Sequence, residues 1–296
     1  MIKKIYCFGT SHTKGAGFHL PQVKSIYKNV VKYPSMENCS WPGILKTYID
    51  NDIQINNLAE HGAGNERMYR LVFDLLSDPN FKKEETLLLL EMSSLGRKEY
   101  YSNTINDYVI CNYVPTHPPG NNFDVVWKYY THRGSLGPNR QSDVWLSNKV
   151  KKIYSDFLVE TVNFDDLLKK LQMNLLFFIN FLDSHNIKYE FINFDDIFSP
   201  NQRNSFDVKL KTVKYTIEGE ETLCFYDNNK FLFEHETNGM IDDEHQGYFA
   251  NLIGAGTIYN HLIKKEYIDG NLKEIKSTHS DFLQFKKNLN FDKNLI

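Results

Sequence analysis

Thr86-Leu87-Leu88-Leu89-Leu90-Glu91-Met92 sets four leucines side by side between polar flanks. An apolar run of this kind predicts a strand buried on both faces, as in a parallel sheet. Upstream, Ile2 to Phe8 is apolar and breaks at Gly9-Thr10-Ser11, which predicts a central strand. Trp41-Pro42-Gly43 opens a short helix over Ile44 to Ile49, because proline suits a helix's first turn. Ile53 to Leu58 reads as another strand. Gly62-Ala63-Gly64-Asn65 is a turn into a helix over Glu66 to Leu76, whose apolar residues Met68, Leu71, Val72 and Leu75 recur at helical spacing. Between these elements, Ser11 to Asn38 reads as irregular. The order β-α-β-α-β predicts an α/β sheet with right-handed crossovers.

Downstream the rhythm changes. Lys98 to Val150 is rich in Tyr, Asn, His, Pro and Gly and shows no clear period. A loop-rich insert of this length in a compact domain often forms a lid or binding wall. Val150 to His185 reads as a long helical region with the apolar stripe Leu167, Leu168, Leu171, Leu175, Phe178 and Leu182. Lys188 to Phe194 is a fourth strand. Thr212 to Ile217 and Thr222 to Phe233 alternate enough for one or two more. Tyr248 to Lys264 is a helix, and the polar tail Lys265 to Ile296 reads as a loosely attached helix, a C-terminal extension.

Composition excludes several functions. The chain has 296 residues, is 41% hydrophobic and 14% aromatic, and carries a net charge of -3. With no basic excess to neutralise a phosphate backbone, nucleic acid is not an expected partner. Cys7, Cys39, Cys111 and Cys224 lie far apart with no finger spacing, so they read as reduced thiols and not as a zinc site. No stretch approaches the ~18 apolar residues of a membrane span. The apolar run after Met1-Ile2-Lys3-Lys4 is shorter than a signal peptide's core, so the expectation is a cytoplasmic or virion-associated protein without a signal peptide.

Functional groups collect at the carboxyl ends of strands in an open parallel sheet. Ser11 follows the first strand, Gly62 to Asn65 the second, and Ser93-Ser94-Leu95-Gly96-Arg97 the third. Near the other end, Asp242-Asp243-Glu244-His245 puts a carboxylate three residues before a histidine. A serine hydroxyl is a weak nucleophile without a positioned base, and a distant Asp–His pair is the usual complement.

Taken in order, these segments resemble the SGNH/GDSL hydrolase superfamily, especially a divergent branch found in phage and marine bacterial sequences. The matching residues are Gly9-Thr10-Ser11-His12-Thr13, then Trp41-Pro42-Gly43-Ile44-Leu45. Next come Asn57, Gly62, Gly64 and Asn65, then Ser93 to Arg97, and last Asp242 and His245 before a helix. The resemblance covers residues 2 to 97 and 240 to 264. It implies a single three-layer α/β/α domain, flavodoxin-like in order, over 1–264, with 98–150 as insert or lid and 265–296 as a C-terminal extension.

The resemblance also implies roles. Ser11 is the expected nucleophile, His245 the base and Asp242 its orienting carboxylate. The Ser11 and Gly62 amides are the expected oxyanion donors. Thr10 stands where the family usually has Asp. Glu91-Met92-Ser93-Ser94 stands where it usually has Gly-x-Asn-Asp, so Asn65 is the candidate side-chain donor, with Ser93 or Ser94 as substitutes. His12, His61, Ser93 and Arg97 are candidate substrate-binding residues. Arg97 reads more readily as a structural partner of Glu91 or Glu99. The expected chemistry is ester hydrolysis through an acyl-enzyme, without metal or cofactor, on a small acyl ester or an O-acylated carbohydrate. His235 and Glu236 near Asp242 match no familiar metal-ligand spacing. The competing expectation is a binding or virion-associated protein that keeps this fold without its chemistry.

Overall fold

The computed structural model describes residues 1–15, 35–49, 52–93, 97–103, 107–115, 123–128, 148–161, 164–192 and 248–273. The expected strands over 212–217 and 222–233, and the end of the tail, lie outside them.

Four parallel strands form the central sheet: β1 (Lys4–Phe8), β2 (Gln54–Asn57), β3 (Thr86–Glu91) and β7 (Lys188–Ile192), in the order β2-β1-β3-β7. All six residues of β3 are buried, as its leucine run requires. Side chains alternate between faces. Ile5, Cys7, Leu87 and Leu89 pack with Trp41, Ile44 and Leu45 of α3 (Trp41–Tyr48) and with Ala255, Ile258 and Leu262 of α7 (Tyr248–Lys264). Phe8, Leu88 and Leu90 face the other way, onto Met68 and Val72 of α4 (Asn65–Leu76) and Leu175, Phe178 and Leu182 of α6 (Phe164–Ser184). Two apolar clusters on opposite faces of one sheet explain why the β3 run lacks a polar side.

One reading of the helices needs correction. Ser11 is not in irregular chain: Ser11–Lys14 forms a single helical turn, α1, followed later by α2 (Met36–Cys39). The helical region after 150 is two helices, α5 (Asn148–Thr161) and α6.

The segment without a clear period contains β4 (Arg97–Ser102), β5 (Asp107–Pro115) and β6 (Phe123–Lys128), an antiparallel meander. Such strands are stabilised by cross-strand pairing, which single-chain periodicity records poorly. The meander docks on α4. Arg70 holds Glu99 through two nitrogens at 3.1–3.3 Å and lies 3.9 Å over the Tyr108 ring, while Glu66 accepts from Lys98 at 2.6 Å.

Both long helices that lead out of the core end in left-handed residues. Asn186 (φ 55) and Glu266 (φ 57) let Ile187 and Tyr267 amides bond back to Leu182 and Leu262, at 3.0 Å each. These Schellman-type ends reverse the chain sharply. After α7 the reversal carries Ile268 into the core, so the start of the tail is packed down.

Candidate functional site

In the order β2-β1-β3-β7, connections leave β1 and β3 toward opposite sides of the sheet. The crevice at the carboxyl ends of these two strands is the topological switch point, where open α/β sheets bind ligands. Gly9-Thr10-Ser11 leaves β1 there, and Met92-Ser93 leaves β3.

The continuation of β2 stays alongside. Leu58 N–H donates to Cys7 O at 2.8 Å and Glu60 N–H to Gly9 O at 3.2 Å. Glu60 to Ala63 then closes a turn, with Ala63 N–H donating to Glu60 O at 3.2 Å and Gly62 at φ 69. A positive φ at that third position calls for glycine. Gly64 follows at the N-cap of α4, and a Cβ there would stand 2.5 Å from Arg97 O, so the start of β4 crosses directly over it. The expected Gly62–Asn65 turn is therefore at the same rim as Ser11, and its glycines have local steric reasons.

Two cross-links fix α1 on that rim. Lys14 pairs with Glu60 at 3.5 Å, and Asn57 Nδ2 donates to Thr13 O at 2.9 Å. Beneath α1 lies Glu91, the last residue of β3 and 2% exposed. Its carboxylate accepts from Thr10 N–H (2.9 Å), from the Thr10 hydroxyl (2.6 Å), from Thr13 N–H (3.2 Å) and from the Thr13 hydroxyl. Thr13 Oγ1 also accepts from Trp41 Nε1 at 3.0 Å. Trp41 N–H in turn donates to Asn251 Oδ1 at 2.9 Å. Asn251 stands in the first turn of α7, six positions after His245.

Ser11 is buried, 6% exposed. A small recess at this rim is lined by Gly9, Thr10, Gly64, Arg67, Glu91 and Ser93, and Ser11 is not among its lining residues. Nearby thiols are poor nucleophiles, since burial pushes Cys7 far up and Cys39 up to about 11, the latter eased by a backbone bond at Ser35.

The other expected residues fall as follows. Asn65 uses both ends of its carboxamide on one residue, donating from Nδ2 to Ser93 O at 2.9 Å and accepting from Ser93 N–H at 2.8 Å. Nδ2 carries a second hydrogen, and the oxyanion reading depends on that one. Ser93 Oγ donates to Ala63 O at 2.7 Å. Arg97 begins β4, after β3 has stopped at Glu91. It does not pair with Glu91 or Glu99, which the threonines and Arg70 occupy; its Nη1 lies 3.5 Å from Ser93 Oγ. His61 is half-buried beside Gly62, its N–H donating to Glu60 Oε1 at 3.0 Å. The His12 side chain, Ser94, Asp242 and His245 lie outside the described residues.

Among the described residues, no three His, Cys, Asp or Glu side chains gather as a metal-binding group, and no helix is long and apolar enough to cross a membrane. The residue that sequence reasoning missed is Glu91. Its signal was available: an acidic residue ending a strand that is otherwise buried on both faces.

In comparisons with known proteins, no family model, no curated protein and no solved structure matches this chain.

Proposed function

We propose that this chain is a serine esterase of the SGNH/GDSL type, built as a three-layer α/β/α hydrolase domain with the aromatic insert as a wall of the site. Ser11 Oγ attacks the ester carbonyl while His245 takes its proton, with Asp242 orienting the imidazole. His245 returns the proton to the leaving alcohol, and water repeats the sequence on the acyl-enzyme. The Ser11 and Gly62 amides and the second Asn65 Nδ2 hydrogen receive the oxyanion. Loss of one such donor would cost about 3 kcal/mol of transition-state stabilisation.

The observation that carries this reading is the relay from Asn251 through Trp41 to Thr13. It ties the helix that follows Asp242 and His245 to the turn that bears Ser11. The favoured substrate is a small acyl ester, with O-acetylated carbohydrate first. Tyr101 supports the carbohydrate, being 50% exposed on the meander and edge-on to Tyr108 at 5.3 Å. Sugar faces stack on such rings. Hydrolysis of p-nitrophenyl acetate by wild type, abolished in Ser11→Ala and in His245→Ala, tests the proposal. Wild type that shows neither turnover nor fluorophosphonate labelling overturns it.

The 6% exposure of Ser11 favours a second reading, a binding protein on the same scaffold without turnover. That reading predicts an unlabelled Ser11 and saturable binding of an O-acetylated oligosaccharide.

A further inference from the structure

We infer that Glu91 is a positioning residue of the nucleophile turn, holding Ser11 in register by gathering Thr10 on one side of it and Thr13 on the other. The inference rests on the esterase reading and adds to it a group that the motif resemblance does not assign.

An ionised carboxylate is an acceptor with about four lone-pair sites, and a buried one is tolerated only when those sites are filled. Glu91 meets that condition with at least two backbone N–H groups and two hydroxyls from Thr10 and Thr13, the residues on either side of the Ser11–His12 pair. Among the described contacts of Glu91, the Ser11 N–H is not a donor. The clamp they form uses the neighbouring amides.

The approach of β1 is shaped to the same contact. A Cβ on Gly9 would stand 2.1 Å from Glu91 Oε2 and 2.7 Å from Thr13 Oγ1, so only glycine allows the strand end to lie against the carboxylate. Trp41 Nε1 completes the Thr13 hydroxyl from the far side. A one-turn helix has little stability of its own, so α1 takes its position from these distant partners.

Two roles can be separated by sign. A purely electrostatic Glu91 would oppose a nearby oxyanion, and Glu91→Gln would raise turnover. A positioning Glu91 predicts the reverse, because the glutamine amide would face donors with donors. Misplacing a reacting group by about 1 Å costs on the order of a hundredfold in rate.

The experiment measures p-nitrophenyl acetate kinetics for wild type, Glu91→Gln, Thr13→Val and Thr13→Ser, with active sites counted by fluorophosphonate titration. Glu91→Gln and Thr13→Val are expected to lower kcat per titrated site by about tenfold to a hundredfold with KM within about twofold. Thr13→Ser, which keeps the hydroxyl, is expected to restore kcat. Should Glu91→Gln not fold, the Thr13 pair gives the answer alone. Active wild type with unchanged kcat per site in the variants, or raised kcat in Glu91→Gln, overturns the inference and leaves the esterase standing. Wild type that neither turns over nor labels removes the esterase reading, and this inference with it.

Discussion

Asn251 Oδ1 accepts the Trp41 backbone amide at 2.9 Å, joining positions 210 residues apart. Trp41 opens α3, and the side chain of its N-cap Ser40 makes no capping bond. The first amides of a helix have no partner within it. Here one of them is satisfied from another helix, so a local defect at α3 becomes a tertiary link to α7.

That link predicts a stability cost. Asn251 is 1% exposed, so Asn251→Ala leaves the Trp41 amide buried without this acceptor. The expected loss is about 1–3 kcal/mol, read as a lower urea midpoint with unchanged slope. An unchanged midpoint would mean that the bond contributes nothing net.

Asn65 tests polarity more finely. Asn65→Asp keeps an acceptor for Ser93 N–H but turns a carboxylate oxygen toward Ser93 O. The expected destabilisation at neutral pH is about 2–4 kcal/mol. Protonation restores a donor, so the folded-state pKa of this Asp is raised. The variant then keeps its stability below the unfolded value of about 3.9 and loses it as pH rises through the folded one. A deficit against wild type that does not shrink toward acid would refute this.

Glu99 gives the wild type a slope of the same sign. Burial raises its carboxyl above the usual 4.5, and the charge and hydrogen bonds of Arg70 pull it partly back. A raised folded pKa means stability present below the unfolded value and lost as pH climbs through the folded one. Glu99→Gln should flatten that part of the profile, and Arg70→Met should extend it upward. Unfolding free energies between about pH 4 and pH 7 decide. Identical slopes in all three proteins would remove the assignment.

Glu266 offers a gain. It is exposed and left-handed at the end of α7, where a Cβ is strained. Glu266→Gly should stabilise by about 1 kcal/mol. Asn186→Gly should gain less, because asparagine tolerates that conformation. Thermal unfolding that shows a loss at Glu266→Gly would indicate that its side chain has a compensating contact.

Much of the architecture was legible before any coordinates. The leucine run of β3, the glycine break after β1 and the helical spacing of α4 record burial on short, regular periods, and burial follows from pattern. The parallel sheet and the order of its elements came from that. The meander was not legible, because Tyr100, Tyr101 and Tyr108 are arranged by pairing across strands and by Arg70 on another element. The helical turn at Ser11 was not legible either.

The sequence alone determined which residues must leave water, and hence the sheet and the helices on its two faces. Only the tertiary structure decided how the buried polar groups are satisfied: Glu91 by Thr10 and Thr13, Trp41 by Asn251, Ser93 by Asn65. The physical reason is range. Apolar burial is non-directional and is written locally in side-chain period, whereas a hydrogen bond needs one particular partner at about 2.9 Å, and that partner can sit anywhere along the chain.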